Sequence, residues 1–185
     1  MSIGKNDHQK HDYFLSETEE ALQHSTEEKD IGVTIDSSLS FNQHISQKIN
    51  KANSVLGQIC RTFENKDKTT MITLYKALVR PHLEYANQVW APYLIKHITS
   101  IENIQRRLTR MIPGLSELSY EQRLRVLNLP SLSYRRLRGD MIELYKIITN
   151  KYDPEITAGM ISFSNTTHTR GNNYKIQKNR AKLRM

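Results

Sequence analysis

The sequence predicts a mainly α protein: a short β-hairpin near the N-terminus, then a multi-helix bundle, then a flexible basic tail. Three observations carry that expectation. Strict apolar alternation is confined to "DIGVTID", residues 30–36. From residue 40 to about residue 150, apolar residues recur at intervals of three and four, the period of one helix face. Past residue 150 the periodicity dissolves and the chain becomes polar and basic. The expected organisation is a polar segment with a hairpin over 1–36, a helical domain over 37–150 and a flexible tail over 151–185.

In the hairpin, Ile31, Val33 and Ile35 are expected on one side of a strand, with "YFL" at residues 13–15 as its partner. Ser40 and Gln43 fit a capping box at the start of the first helix. Behind it, Ile45, Ile49, Ala52, Leu56, Ile59 and Phe63 form one stripe along about six turns. Asn65 or Asp67 can cap a second helix, with Met71, Leu74, Tyr75 and Leu78 facing inward. Pro81 lacks the N–H that a helix interior needs, so it should end that helix and open the next. Leu83, Ala86 and Trp90 continue at helical spacing. Residues 97–112 form another helix with Ile98, Ile101, Leu108 and Ile112 inward, closed by Pro113-Gly114. Ser119 and Gln122 make a capping box for a short helix ending near Asn128. After Pro130 a last helix carries the stripe Tyr134, Leu137, Met141, Leu144 and Ile148. The triplet Arg138-Gly139-Asp140 falls inside that stripe, so it reads as helix and not as an adhesive loop.

Composition narrows the function. The 185 residues carry a formal net charge of +8. Residues 1–30 hold 3 Lys or Arg against 8 Asp or Glu, whereas the remainder holds 24 against 11. A positive field over most of a small chain concentrates polyanions, nucleic acid above all. Cys60 is the sole cysteine, so neither an internal disulfide nor a cysteine zinc site is expected. A reducing, intracellular setting, nuclear or cytoplasmic, follows. The N-terminus lacks an apolar signal core and no 18-residue apolar run occurs, so export and membrane partners are not expected.

Two arginine clusters are the candidate binding residues. In "IQRRLTR", Arg106 and Arg110 stand four apart with Arg107 beside them. In "SYRRLRGD", Arg135 and Arg138 share a face and Arg136 adjoins them. Like charges on one helix face repel, and such a face gains from a phosphate chain. A solvated helix face is the alternative. Lys48 and Lys51 on the first helix are weaker candidates. Trp90 and Tyr93 could stack on bases, core packing being the simpler reading of Trp90.

Catalytic chemistry is not visible. Metal-dependent nucleotidyl transfer needs paired carboxylates, but the aspartates are scattered and no two are adjacent. No H-E-x-x-H, Walker or Rossmann pattern occurs. No catalytic residue, metal ligand or cofactor is expected.

Five stretches together resemble one family: "EKDIGVTIDSSLSFNQHI", "KANSVLGQICRTF", "LYKALVRPHLEYANQVWAPY", "IENIQRRLTRMIPGLSELSYEQRLRVLNLPSL" and "YRRLRGDMIELYKI". In order and spacing over residues 13–149, they are similar to the reverse transcriptases of jockey-like LINE (non-LTR) retrotransposons. The resemblance implies the C-terminal part of such an enzyme: the end of the palm at the hairpin, a helical thumb and the region after it. It implies contacts from basic helices to the backbone of an RNA–DNA hybrid or duplex, with the palm as a protein partner. It also implies that the metal-binding aspartates lie upstream of residue 1. The expected role is therefore a reverse transcriptase fragment, non-catalytic alone, that binds template–primer. The rival reading is a helical protein–protein interaction module or a relic without a nucleic-acid role, its apolar surface left exposed.

Overall fold

The computed structural model describes residues 1, 3, 23–163 and 174–177. It is mainly helical with one two-stranded antiparallel hairpin near the N-terminus. The chain forms two compact units, Met1–Arg136 and Leu137–Met185.

The hairpin pairs β1 (Glu27–Asp30) with β2 (Val33–Asp36), and Asp30 faces Val33 across a two-residue turn. Ile31 and Gly32 make that turn with φ of 42° and 79°, the left-handed geometry whose twist matches a hairpin. The alternation in "DIGVTID" therefore hid a turn. Ile31 is 80% exposed at its tip instead of facing inward, while Val33 is buried and Ile35 packs against the core. The "YFL" segment lies outside the described residues; the partner seen for β2 is the acidic stretch before it. Tyr85 Oη donates to Ile31 O at 2.9 Å and Lys48 Nζ to Gly32 O at 3.1 Å, which fastens the turn to the helices.

Helix α1 (Asn42–Thr62) follows. Its start is not the expected Ser40–Gln43 box. Asp36 instead accepts from Ser40 N at 2.7 Å, Ser40 Oγ at 2.6 Å and Phe41 N at 2.9 Å. The Ser40 hydroxyl is thus drawn to a carboxylate that also orders two backbone amides, and Phe41 enters the helix in a left-handed conformation. Burial raises the Asp36 pKa, but these hydrogen bonds outweigh it and hold the group below its ordinary value. The stripe is as expected over Ile45, Ala52, Leu56 and Ile59, with Ile49 half-buried and Phe63 exposed at the end.

Asp67 caps α2 (Lys68–Leu74) through Thr70 N. The chain then widens into a π turn, Tyr75–Val79, before α3 (Arg80–Glu84), where Pro81 sits in the first turn. Pro81 cannot donate, and in α geometry its ring would strike the carbonyl four residues back. The wide turn, with Arg80 N bonded to Tyr75 O, removes that conflict. It also moves the inward face by one residue. Met71, Tyr75, Val79 and Leu83 are fully buried, and the expected Leu78 is exposed.

A short α4 (Asn87–Trp90) leads into α5 (Ile95–Arg110), which buries Ile101, Ile104 and Leu108 against the same core. Trp90 is 1% exposed and its indole N–H donates to Tyr85 O at 2.7 Å, so it is a core residue. Helix α6 (Tyr120–Leu127) starts with the expected Ser119–Gln122 capping box, and Asn128, at φ 50°, ends it. Helix α7 (Leu132–Ile148) contains the Arg138-Gly139-Asp140 triplet, as the periodicity predicts. In the second unit a short α8 (Pro154–Thr157) and a bridge between Phe163 and Ile176 fall within the expected tail. Residues 164–173 and 178–185 of that tail lie outside the described residues.

His44, 1% exposed, ties the hairpin to α1, since Thr34 N donates to its Nδ1 at 3.0 Å. Burial, aided by Lys48, lowers its pKa from 6.5 to about 4. A buried neutral imidazole stabilises the fold at pH values above the unfolded-state pKa. That stability is lost as pH falls from about 6.5 toward about 4, on the order of 2–3 kcal/mol. Urea midpoints measured between pH 7 and pH 4 should therefore fall steeply. His44→Gln, which keeps an acceptor but cannot titrate, should flatten the curve. An unchanged pH dependence in that variant would remove His44 from this role.

Candidate functional site

The site is built from the last turns of α5 and from α6. Leu108 and Ile112 turn inward and anchor α5, which leaves Arg106, Arg107 and Arg110 on its solvent side. None of the three forms an ion pair among the described residues. Together with Met111 and Arg123 they line a groove of about 420 Å³.

Arg123 is the residue that sequence reading missed. It is 7% exposed, and its guanidinium donates from Nε to Thr109 Oγ1 at 3.1 Å and from Nη1 to Leu118 O at 2.6 Å. In sequence it looks like one more charge on a short solvated helix. Its partner Thr109 is fourteen residues away, so no local pattern announces the contact.

Tyr120 organises the wall. The Arg106 guanidinium lies 4.9 Å and that of Arg123 5.8 Å from the centre of its ring, a cation–π arrangement. Its hydroxyl donates to Glu102 and accepts from Gln105 Nε2 at 3.1 Å. Gln105, 1% exposed, also donates to Pro130 O at 3.0 Å and accepts from Tyr75 Oη at 2.6 Å. Glu102 takes the first amides of α7, from Leu132 and Ser133, each at 3.2 Å. Burial, then the bond to Glu102, pushes the Tyr120 hydroxyl well above its ordinary pKa, so it stays a donor. Beyond Arg106 a wider groove of about 590 Å³ runs past Tyr120, Arg125 and Tyr134.

The other candidates are placed differently. Arg135 forms a two-point ion pair with Glu84, with Nη2 to Oε2 at 2.9 Å, and Arg80 reaches the same carboxylate at 3.5 Å. Arg136 is buried at 8% exposure. Arg138 is exposed but belongs to the second unit. Lys48 is half-buried and committed to the hairpin turn, Lys51 is exposed on α1, and Tyr93 is exposed after α4. Cys60 is half-buried, with Sγ 3.2 Å from Met111 Sδ. Among the described residues, no three His, Cys, Asp or Glu side chains cluster so as to hold a metal ion. No helix among them is long and apolar enough to cross a membrane.

No protein-family model matches the chain, and no solved structure matches it. Three curated proteins are similar to it. An uncharacterized protein of Caenorhabditis elegans is 26% identical over 133 residues, covering 70% of this chain and 67% of that protein. The RNA-directed DNA polymerase from the mobile element jockey of Drosophila funebris is 34% identical over 101 residues, or 50% of this chain. A probable RNA-directed DNA polymerase from transposon X-element of Drosophila melanogaster is 26% identical over 89 residues, or 46% of this chain. The match spans only 10% of each polymerase. Over about half its length the chain is thus related to retrotransposon RNA-directed DNA polymerases.

Proposed function

We propose that the chain corresponds to the end of the palm and the thumb of a LINE-type reverse transcriptase and binds template–primer through its phosphates. The observation that carries this reading is the α5 face. Three arginines stand within little more than one turn, exposed and outside any ion pair among the described residues. Guanidiniums on a helix face position a nucleic-acid backbone without reading bases. The resemblance to jockey-like enzymes supplies the RNA–DNA hybrid as ligand. Polymerisation is not assigned to these residues, because no two aspartates are adjacent and the adjacent glutamates, Glu19-Glu20 and Glu27-Glu28, lie in the acidic N-terminal segment.

The test is binding of the purified chain to a labelled RNA–DNA hybrid across a salt series. Three neutralised phosphates give a slope of about −2.7 in log K against log salt. A flat salt dependence, or no binding by the folded chain, would defeat the reading.

A second reading has its own observation. On α7, Leu137, Met141 and Tyr145 are 62%, 57% and 62% exposed. An apolar helix face of that kind fits a helical protein–protein module. Under that reading, polar substitutions there abolish partner capture, and the α5 arginines are dispensable.

A further inference from the structure

Four arginines, Arg106, Arg107, Arg110 and Arg123, are among the five residues that line the groove where α5 ends against α6. That is more charge in one place than a single backbone phosphodiester neutralises. A group of two or three linked phosphates, in contrast, concentrates several negative charges and many acceptor oxygens in a small volume. The groove, at about 420 Å³, has room for such a group.

Two of the four arginines are held in place by the protein itself. Arg123 is fixed by Thr109 Oγ1 and Leu118 O, and it is 7% exposed. Arg106 lies over the ring of Tyr120, which Glu102 and Gln105 hold through its hydroxyl. Pre-placed donors lose little freedom on binding, which favours a compact anion over a diffuse one. Arg107 and Arg110, exposed on α5, complete the wall.

We propose that this groove is a discrete seat for a compact di- or triphosphate group. The proposal rests on the reading of the α5 arginines as phosphate ligands and narrows it from a charged face to one stoichiometric site. The phosphates could come from the 5′-triphosphate end of an RNA or from free polyphosphate, since the chemistry that recognises both is the same.

The experiment is calorimetric titration of the full chain with tripolyphosphate and, at matched ionic strength, with orthophosphate. The expected result is one saturable site per chain, with tripolyphosphate at least about tenfold tighter than orthophosphate. Arg107→Gln and Arg110→Gln, both at exposed positions, should each weaken it several-fold with the melting temperature unchanged. Arg123→Lys, which keeps the charge but loses the fork, should weaken it as well. Unsaturable heats, equal affinity for the two anions, or full binding by an Arg106/Arg107/Arg110→Gln variant would overturn the proposal.

A 5′-triphosphorylated RNA set against its 5′-hydroxyl twin separates the sources. Tighter binding of the former assigns the seat to an RNA end, and equal binding with retained tripolyphosphate affinity assigns it to free polyphosphate. If the hybrid binds through the arginines but tripolyphosphate does not saturate, the seat fails and the broader reading stands. If tripolyphosphate saturates and the hybrid does not bind, the broader reading fails and the seat stands.

Discussion

Reversing the charge of Arg106, Arg107 and Arg110 together to Glu is expected to lower affinity for an RNA–DNA hybrid by at least about a hundredfold at low salt. Each substitution removes one phosphate contact and places a like charge beside the backbone. The salt slope should flatten accordingly, by about 0.9 for each contact removed. Folding should survive, because all three side chains are exposed and none is in an ion pair among the described residues. Arg135 is the informative control. Its guanidinium is committed to Glu84, so Arg135→Gln should cost about 1–2 kcal/mol of stability and leave the slope unchanged. Binding titrations and urea melts on both variants separate the two roles. A triple variant that binds as tightly as wild type would take the α5 face out of the account.

Gln105→Leu is expected to destabilise the first unit by about 3 kcal/mol. Gln105 is the centre of a buried polar network that joins the π turn, α5, α6 and the start of α7. It accepts from Tyr75 and donates to Tyr120 and Pro130. A leucine of similar size fills the space but leaves the buried Tyr75 hydroxyl without its acceptor and removes the part-buried links to Tyr120 and Pro130. Tyr75 is fully buried, and burial holds its hydroxyl in the neutral form, still in need of an acceptor. Tyr75→Phe removes one of those bonds at its source and should cost less than half as much. Urea unfolding with unchanged m-values checks both, and a Gln105→Leu variant within about 1 kcal/mol of wild type would show that the network is not holding these helices together.

Much of the helical domain was legible because local rules and tertiary packing agree there. The α1 stripe is buried at Ile45, Ala52, Leu56 and Ile59 and the α5 face at Ile101 and Leu108, with Phe63 exposed and Ile98 half-buried, and Ser119 with Gln122 caps α6 as written. The readings fail where a distant residue or a backbone irregularity decides. The π turn before Pro81 shifts the inward face from Leu78 to Val79, and a 3.6-residue period has no means of foreseeing an extra residue per turn. Asp36 outcompetes the Ser40–Gln43 box from the preceding strand. Ile31 continues an apolar alternation but takes the left-handed turn. On α7 the apolar repeat is real, yet Tyr134, Leu137 and Met141 are exposed, because periodicity identifies a face and not what covers it.

The candidate site divides the same way. Arg106, Arg107 and Arg110 were legible because one helix turn brings them together. Arg123 and Tyr120 were not, because only the packing of α6 on α5 brings Arg123 to the groove and the Tyr120 ring against Arg106 and Arg123. The second arginine cluster shows the converse. Three neighbours in sequence meet three fates: an ion pair with Glu84 for Arg135, burial for Arg136 and exposure in the second unit for Arg138.

The most direct measurement is a backbone amide chemical-shift titration of the chain with an RNA–DNA hybrid at low salt. Saturable shifts are expected at Arg106, Arg107, Arg110, Met111 and Arg123, the residues that line the arginine groove. Shifts confined to residues 137–145, or none while the chain stays folded, would contradict it and turn attention to the apolar face of α7.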